Sequence, residues 1–370
     1  MKKLETSGTG SVVNRRSFLK TGMLAGSAAT VGTVLGAGTK SALAQSDRLT
    51  EGDIAVLRFL ATAELIEADL WTQYAELGGL TSGQPIEVDP NQTLNSYQAA
   101  LSNLDSDGPQ YITSNTNDEI SHATFLNAYL ESKGAEPVNL DAFRTLQGSK
   151  ATGASNTYRL TNLMNLNVDT SWFTRYRSTN NPDFGATFPQ AVTITNRPAI
   201  PRSNADLNGS AAHIQVIANT AAFHFGYIEQ GGSSLYAVMS RKVTSLEVLE
   251  ITLGIGGDEI CHFLEWVDFA GNGVQTPVAP VSDGNLTFPN FFSPLNPAIQ
   301  PSLIFPVPCE FIDPNLPHCA VVRPLRDKFG GAVATIASFT ADGLFDGQTP
   351  EFFKVVNQLA QAADAARRED

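Results

Sequence analysis

Charge, basic side chains and long apolar runs are all scarce in this chain. Only 16% of its 370 residues are charged, which argues against a highly charged disordered protein. Lys and Arg number 24 against 37 Asp and Glu, a net charge of −13, so a basic nucleic-acid-binding surface is excluded. No apolar run in the body of the chain reaches the roughly 20 residues of a membrane helix, which excludes a multi-pass membrane protein.

Cysteine is scarce as well, with three residues. Cys309 and Cys319 lie ten positions apart in a Pro-rich stretch. In an oxidising compartment they are the natural disulfide pair, closing a short loop that has little else to order it. Cys261 stands apart in a helical segment beside His262, where most cysteines are small buried apolar residues.

The first 44 residues resemble a twin-arginine export signal. An Arg pair, Arg15 and Arg16, is followed by Ser-Phe-Leu-Lys, a Gly/Ala/Thr-rich stretch and a small-x-small site at 42–44. The resemblance implies a signal peptide at 1–44 and a mature chain that reaches the periplasm or the exterior already folded. No stable membrane span is expected after cleavage; an uncleaved N-terminal anchor is the alternative.

Helical periodicity and capping residues predict four long helices with clear ends. Thr50 is the expected N-cap of the first, and Thr244 or Ser245 that of the fourth. We therefore predict an all-α fold. The predicted long helices span 50–77, 109–132, 210–240 and 245–271, with shorter helices at 93–103 and 350–367.

Two stretches depart from this helical pattern. Residues 135–205, between the second and third long helices, are rich in Asn, Thr and Pro and too long for a linker, so we predict an ordered irregular insertion. Residues 276–370 form a Pro-rich extension with a C-terminal helix, which leaves 45–275 as the helical domain. The aromatic residues expected to pack the insertion are Trp172, Phe173, Tyr176, Phe184 and Phe188.

The second and fourth long helices each contain the pattern Glu-x-x-His. Glu119 and His122 form one copy, and Glu259 and His262 form the other. Residues at i and i+3 project from the same helical face, so a carboxylate and an imidazole can bind one metal ion.

The first and third long helices each carry a glutamate in apolar surroundings. Glu64 is followed at +7 by Trp71, and Glu229 is followed at +7 by Tyr236. Seven residues are two helical turns, so each aromatic ring is expected beneath its own carboxylate. Three glycines, Gly226, Gly231 and Gly232, are poor helix formers that predict a bend in the third helix near Glu229.

One glutamate on each of two helices, with Glu-x-x-His on the other two, is the ligand set of di-iron and di-manganese carboxylate bundles. The segments AELIEADLW and EQGGSSLY resemble those of the bacterial ferritin-like proteins related to plant desiccation-related proteins. The resemblance implies a ferritin-like four-helix bundle and a dinuclear iron or manganese centre. Glu67 is a competing or additional ligand on the first helix. The ligands that the resemblance implies are Glu64, Glu119, His122, Glu229, Glu259 and His262.

Two classes of function follow from this resemblance. One is an exported metal protein with oxidase, peroxidase or catalase-like activity, and the other is a desiccation or stress-protection protein whose metal is structural or absent. The partners expected are metal ions and no nucleic acid; whether the chain forms a homo-oligomer stays open. His213 and His224 are expected to be exposed or packed, not to bind metal.

Overall fold

A computed structural model describes residues 49–80, 93–170, 193–271, 281–288, 306–307, 312–320 and 327–369. All of them belong to the unit Arg48–Asp370. The predicted signal peptide at 1–44 lies outside the described residues. In the described part of the chain, no helix is both long and apolar enough to cross a membrane.

The described chain is mostly helical, as the all-α prediction requires. Four of its helices are longer than 20 residues, and they pack in pairs, α1 with α3 and α5 with α6. The helices are α1 (Glu51–Gly78), α2 (Ser96–Ser102), α3 (Gly108–Ser132), α4 (Asn204–Leu207), α5 (Ala211–Met239), α6 (Leu246–Gly271), α7 (Asp327–Gly330), α8 (Ala332–Ala341) and α9 (Pro350–Ala365).

Side-chain caps explain where the long helices begin. Thr50 accepts a hydrogen bond from the backbone N–H of Asp53, so the predicted N-cap of α1 is confirmed. At the start of α5, Ser210 accepts one from the backbone N–H of His213. Each cap satisfies one of the N–H groups that a helix start leaves unpaired. The carboxylate of Asp53 in turn accepts from the backbone N–H groups of Thr244 and Ser245, which ties the start of α6 to α1.

The segment predicted as an insertion contains short antiparallel strand pairs. Its described parts contribute Leu160, Leu163 and Ile200 to the main core, so this segment packs on the helices. The five aromatic residues expected to pack it lie outside the described residues, as does Cys309. The strand pairs of the described chain are β1 (Leu146–Gln147) with β2 (Tyr158–Arg159), β3 (Leu166–Asp169) with β4 (Thr193–Arg197), β5 (Val281–Asp283) with β6 (Leu286–Phe288), and β7 (Pro306–Val307) with β8 (Cys319–Ala320).

The C-terminal helix packs against α1. Phe352, Val356 and Ala360, spaced at i, i+4 and i+8, are fully buried, and this spacing makes one apolar face of α9. The C-terminal helix therefore shares the core of the long helices.

Candidate metal centre

The four long helices bring all six predicted ligands into one buried cluster. Helices α1 and α5 supply Glu64 and Glu229, and the two Glu-x-x-His pairs come from α3 and α6. The four carboxylates are at most 1% exposed, and the two imidazoles at most 8%. The motif spacing on four separate helices therefore identified six residues that lie close together in the fold.

Both histidines point Nδ1 into the cluster. Nδ1 of His122 lies 3.5 Å from Oε2 of Glu64 and 3.4 Å from Oε2 of Glu119. Nδ1 of His262 lies 3.1 Å from Oε1 of Glu119 and 3.4 Å from Oε2 of Glu229. In both histidines, Nδ1 is therefore the nitrogen that faces the carboxylates of the cluster.

The six side chains form two overlapping groups, each compact enough to surround one ion. In both groups the potential ligand atoms lie within 4.8 Å of one another. Glu119 and Glu259 belong to both groups, so each of these carboxylates could contribute to both. The first group is Glu64, Glu119, His122 and Glu259, and the second is Glu119, Glu229, Glu259 and His262.

The donor set fits a metal better than it fits an ordinary core. Two ligand atoms each about 2.1 Å from one ion are roughly 3.0–3.4 Å apart at normal coordination angles, close to the N–O distances above. Oε2 of Glu64, Oε2 of Glu229 and both carboxylate oxygens of Glu259 are buried without a hydrogen-bond partner. Buried carboxylates are costly unless a cation or hydrogen bonds compensate them.

The carboxyl groups of the cluster differ in the direction of their pKa shifts. Burial raises the pKa of Glu64 to about 7. Burial would also raise the pKa of Glu119, but hydrogen bonds from His122 and His262 outweigh it and lower that pKa to about 2. Burial, then repulsion from Glu119, raises the pKa of three further carboxyls, Glu67, Glu229 and Glu259.

The pKa values of both imidazoles are raised as well. Burial alone would lower the pKa of His122, but the hydrogen bond to Glu119 and the close contact with the Glu64 carboxylate raise it to about 10. Burial alone would also lower the pKa of His262, but the charge of Glu229 and the contacts with Asp118 and Glu119 together outweigh burial and raise it. In the metal-free chain, protons on the imidazoles and on several carboxyls reduce the repulsion within the cluster. Binding of a metal ion would release these protons.

Glu67, the competing candidate, lies at the edge of the cluster. Its side chain is buried, with Oε2 lacking a hydrogen-bond partner, and it raises the pKa of Glu259. It belongs to neither four-residue group, whereas Glu64 belongs to one. The geometry therefore favours Glu64 as the ligand from α1.

Two aspartates that the sequence analysis did not single out hold the outer nitrogens of the histidines. Nε2 of His122 lies 3.2 Å from Oδ2 of Asp258, and Nε2 of His262 lies 3.4 Å from Oδ2 of Asp118. The contacts cross between α3 and α6. A sequence signal was present, because both motifs read Asp-Glu-Ile-x-His.

The aromatic residues at +7 behave differently from the prediction. The hydroxyl of Tyr236 donates a hydrogen bond to Oε1 of Glu64 on the opposite pair of helices. Trp71 stacks on Trp266 with ring centroids 5.3 Å apart. The rings therefore link the helix pairs instead of supporting the carboxylate of their own helix.

An asparagine one turn before Glu119 donates hydrogen bonds to two carboxylates of the cluster. Nδ2 of Asn115 donates to Oε1 of Glu119 at 2.8 Å and to Oε1 of Glu229 at 3.2 Å. Its Oδ1 accepts from the indole N–H of Trp266 at 2.6 Å. Asn115 had no motif of its own, so only the fold could reveal it.

One of the glycines on α5 makes room for a ligand. A Cβ at Gly232 would lie 2.2 Å from Oε2 of Glu259, whereas a Cβ at Gly231 would have no atom within 4 Å. Helix α5 continues through both glycines and through Gly226 without interruption. Close approach of a ligand therefore accounts for Gly232.

The remaining candidates lie outside the cluster. His213 is half-exposed and pairs with Asp206, while His224 is fully buried away from the cluster ligands. Cys261 is exposed, contrary to the expectation of a buried residue, because position 261 falls on the outer face of α6. The disulfide with Cys309 stays a prediction, since that residue is not described.

Comparison of the chain with protein-family models, with curated proteins and with solved structures found no match.

Proposed function

We propose that this chain is an exported ferritin-like four-helix bundle protein that binds a dinuclear iron or manganese centre. The observation that carries the proposal is the pair of four-residue groups sharing Glu119 and Glu259. A set of oxygen ligands with one imidazole for each ion suits iron or manganese. The ligands are Glu64, Glu119, His122, Glu229, Glu259 and His262.

Bound iron or manganese would supply redox chemistry on peroxide or dioxygen. The chain's own residues prepare the site for it. Asp118 accepts from Nε2 of His262, and Asp258 lies 3.2 Å from Nε2 of His122. These contacts would leave each Nδ1 lone pair for an ion and fix each ring. Asn115 and Tyr236 hold three of the four carboxylates, and burial keeps bulk water away from them.

Metal analysis of the mature protein tests the proposal. We expect about two iron or manganese ions per chain after metal-free protein is reloaded and desalted. Glu259→Gln, which changes a shared carboxylate, should lose most of this metal. Glu250→Gln, an exposed residue of the same helix, should keep it.

Loss of hydrogen peroxide separates redox activity from metal binding alone. Metal-loaded protein should consume peroxide faster than the metal-free protein and the Glu259→Gln variant. A wild-type chain that binds neither metal would contradict the proposal and favour the stress-protection function.

A further inference from the structure

A buried polar chain lies near the centre but takes no part in binding the ions. The hydroxyl of Tyr74 on α1 lies 2.7 Å from Nδ1 of His224 on α5. Nε2 of His224 lies 3.1 Å from Oδ2 of Asp342, at the end of α8. All three side chains are at most 2% exposed, so this tyrosine–histidine–aspartate chain is sealed from water.

The arrangement prepares Tyr74 to give up a proton. A carboxylate beside Nε2 favours the tautomer with its proton there, which leaves the Nδ1 lone pair to accept from the tyrosine hydroxyl. Burial raises the pKa of Tyr74 well above its usual value, so the residue does not ionise by itself. Its proton can leave only when an electron leaves too, and His224 is the acceptor in reach.

Aromatic rings connect this chain to the centre. The ring centroids of Tyr74 and Trp71 are 5.6 Å apart, and Trp71 stacks on Trp266 at 5.3 Å. The indole N–H of Trp266 donates to Asn115, which in turn donates to two of the proposed ligands. Indole and phenol are the aromatic side chains that can lose one electron, and here they form a continuous series of contacts.

We propose that Tyr74 is a one-electron donor to the metal centre, with Trp71 and Trp266 as the electron path and His224 as the proton acceptor. The inference rests on the proposed function, which supplies the ions and the oxidant, hydrogen peroxide. Peroxide is reduced to two waters by one electron from a bound divalent ion and one from Tyr74, with two protons from solvent. The phenolic proton moves to Nδ1 of His224, leaving a tyrosyl radical beside an imidazolium held by Asp342.

Two other buried tyrosines provide matched controls. Tyr97 donates to the backbone carbonyl of Ala199 at 2.6 Å, and a carbonyl oxygen does not take up the proton. Tyr236 donates to Glu64, a proposed ligand whose basicity falls when it binds a cation. Of these three tyrosines, only Tyr74 is paired with a base outside the proposed ligands.

The first experiment uses protein loaded with ferrous iron, mixed with hydrogen peroxide and frozen within milliseconds to seconds. Electron paramagnetic resonance should show a tyrosyl radical, identified by narrowing on ring deuteration of tyrosine. Tyr74→Phe should reduce the signal at least tenfold, while Tyr97→Phe should leave it unchanged. A full signal in Tyr74→Phe, or its loss only in Tyr236→Phe, would overturn the inference, as would no radical in a protein shown to hold iron.

The second experiment needs no metal and so separates the two proposals. In Trp172→Phe, Trp71 and Trp266 are the only indoles of the chain, and an ultraviolet flash oxidises them directly. Transient absorption should show the indole radical converting to a tyrosyl radical, with the conversion lost in Tyr74→Phe and slowed at least several-fold in His224→Gln. Equal conversion in the Tyr74→Phe protein would refute the relay whatever the metal content.

The His224→Gln variant also guards against a folding artefact. It keeps the tyrosine and a hydrogen-bonding side chain beside it but removes the base. If Tyr74→Phe does not fold, an unchanged rate in His224→Gln refutes the proton acceptor, and a slower rate supports it.

Discussion

Each histidine of the candidate centre contacts acidic residues from two helices other than its own. Nδ1 of His122 faces carboxylates from α1 and α3, while its Nε2 contacts Asp258 of α6. An imidazole fixed at both nitrogens has one tautomer and one orientation to offer a metal ion. The two aspartates lie outside the two four-residue groups and contact the outer nitrogens of the histidines; with His262 they form a third group of possible ligands, which is partly exposed.

Replacing both aspartates by asparagine tests this positioning. In Asp118→Asn/Asp258→Asn the amides cannot supply the same negative charge to Nε2, so we expect metal affinity to fall about 10–100-fold. Competition with a chelator of known affinity measures the change, with Glu250→Gln as the control on α6. Unchanged affinity would mean that the aspartates only line the surface.

Removing both imidazoles tests the ligands themselves. His122→Ala/His262→Ala should lose most bound metal and leave several buried carboxyls without a positive partner, a loss of about 3–5 kcal/mol for a broken buried pair. The lowered pKa of Glu119 depends on these two histidines, so in the variant it should rise and protonation should restore stability. Thermal melts should therefore show a larger deficit at pH 8 than at pH 5, whereas His213→Ala should show none.

Sequence spacing could predict the ligands but not the residues around them. Glu-x-x-His places two ligands on one helical face by local geometry alone. Tyr236 and Asn115 act on carboxylates of other helices, and such contacts depend on how helices pack. The +7 spacing describes one helix at a time, so it could not predict that Tyr236 would contact Glu64 and Trp71 would contact Trp266.

Helix α5 shows how an element adapts to the site that it forms. Its 29 residues continue across three glycines, although each glycine weakens a helix. The carboxylate of Glu259 on α6 lies where a side chain at position 232 would begin. A side chain at position 232 would therefore have to displace this carboxylate.

Two adjacent substitutions separate this close approach from helix stability. Gly232→Ala should displace the Glu259 carboxylate and reduce metal affinity about tenfold or more, as expected when a ligand loses its support. Gly231→Ala meets no atom within 4 Å and should stabilise the helix by about 0.5–1 kcal/mol with unchanged affinity. Melting temperature and chelator competition on both variants provide the comparison, and equal affinities would contradict the account.

The elements themselves were largely predictable, because their ends carry local signals. Thr50, Ser210 and Thr349 each cap a helix within a residue or two of its predicted start. The insertion was not predictable in detail. Its order comes from distant partners such as Asp69, which accepts from the backbone N–H groups of Leu160 and Thr161, and such partners leave no periodic pattern.

At the scale of the whole molecule, the cluster makes stability depend on pH, and a bound metal would add a second dependence. In the metal-free chain Glu64 has a raised pKa of about 7, so its contribution is complete below about pH 4.5 and is lost as the pH rises through 7. His122, raised to about 10, contributes fully below about pH 6.5 and loses this as the pH rises through 10. Glu119, lowered to about 2, contributes above about pH 4.5 and loses this only as the pH falls towards 2.

The directions of these pKa shifts predict that the metal-free protein is most stable in mildly acid solution and that its stability decreases from about pH 5 to pH 8. A bound ion needs the ligands deprotonated, so metal affinity should change in the opposite direction and protons should be released on binding. A metal at 100 times its dissociation constant adds about 2.7 kcal/mol of stability. Melting curves with a chelator and with excess Mn²⁺ should therefore diverge as the pH rises, with little difference at pH 5 and the largest at pH 8. Because the effect depends on ligands losing protons, a shift in melting temperature that is the same at every pH would show that the ion binds away from this cluster.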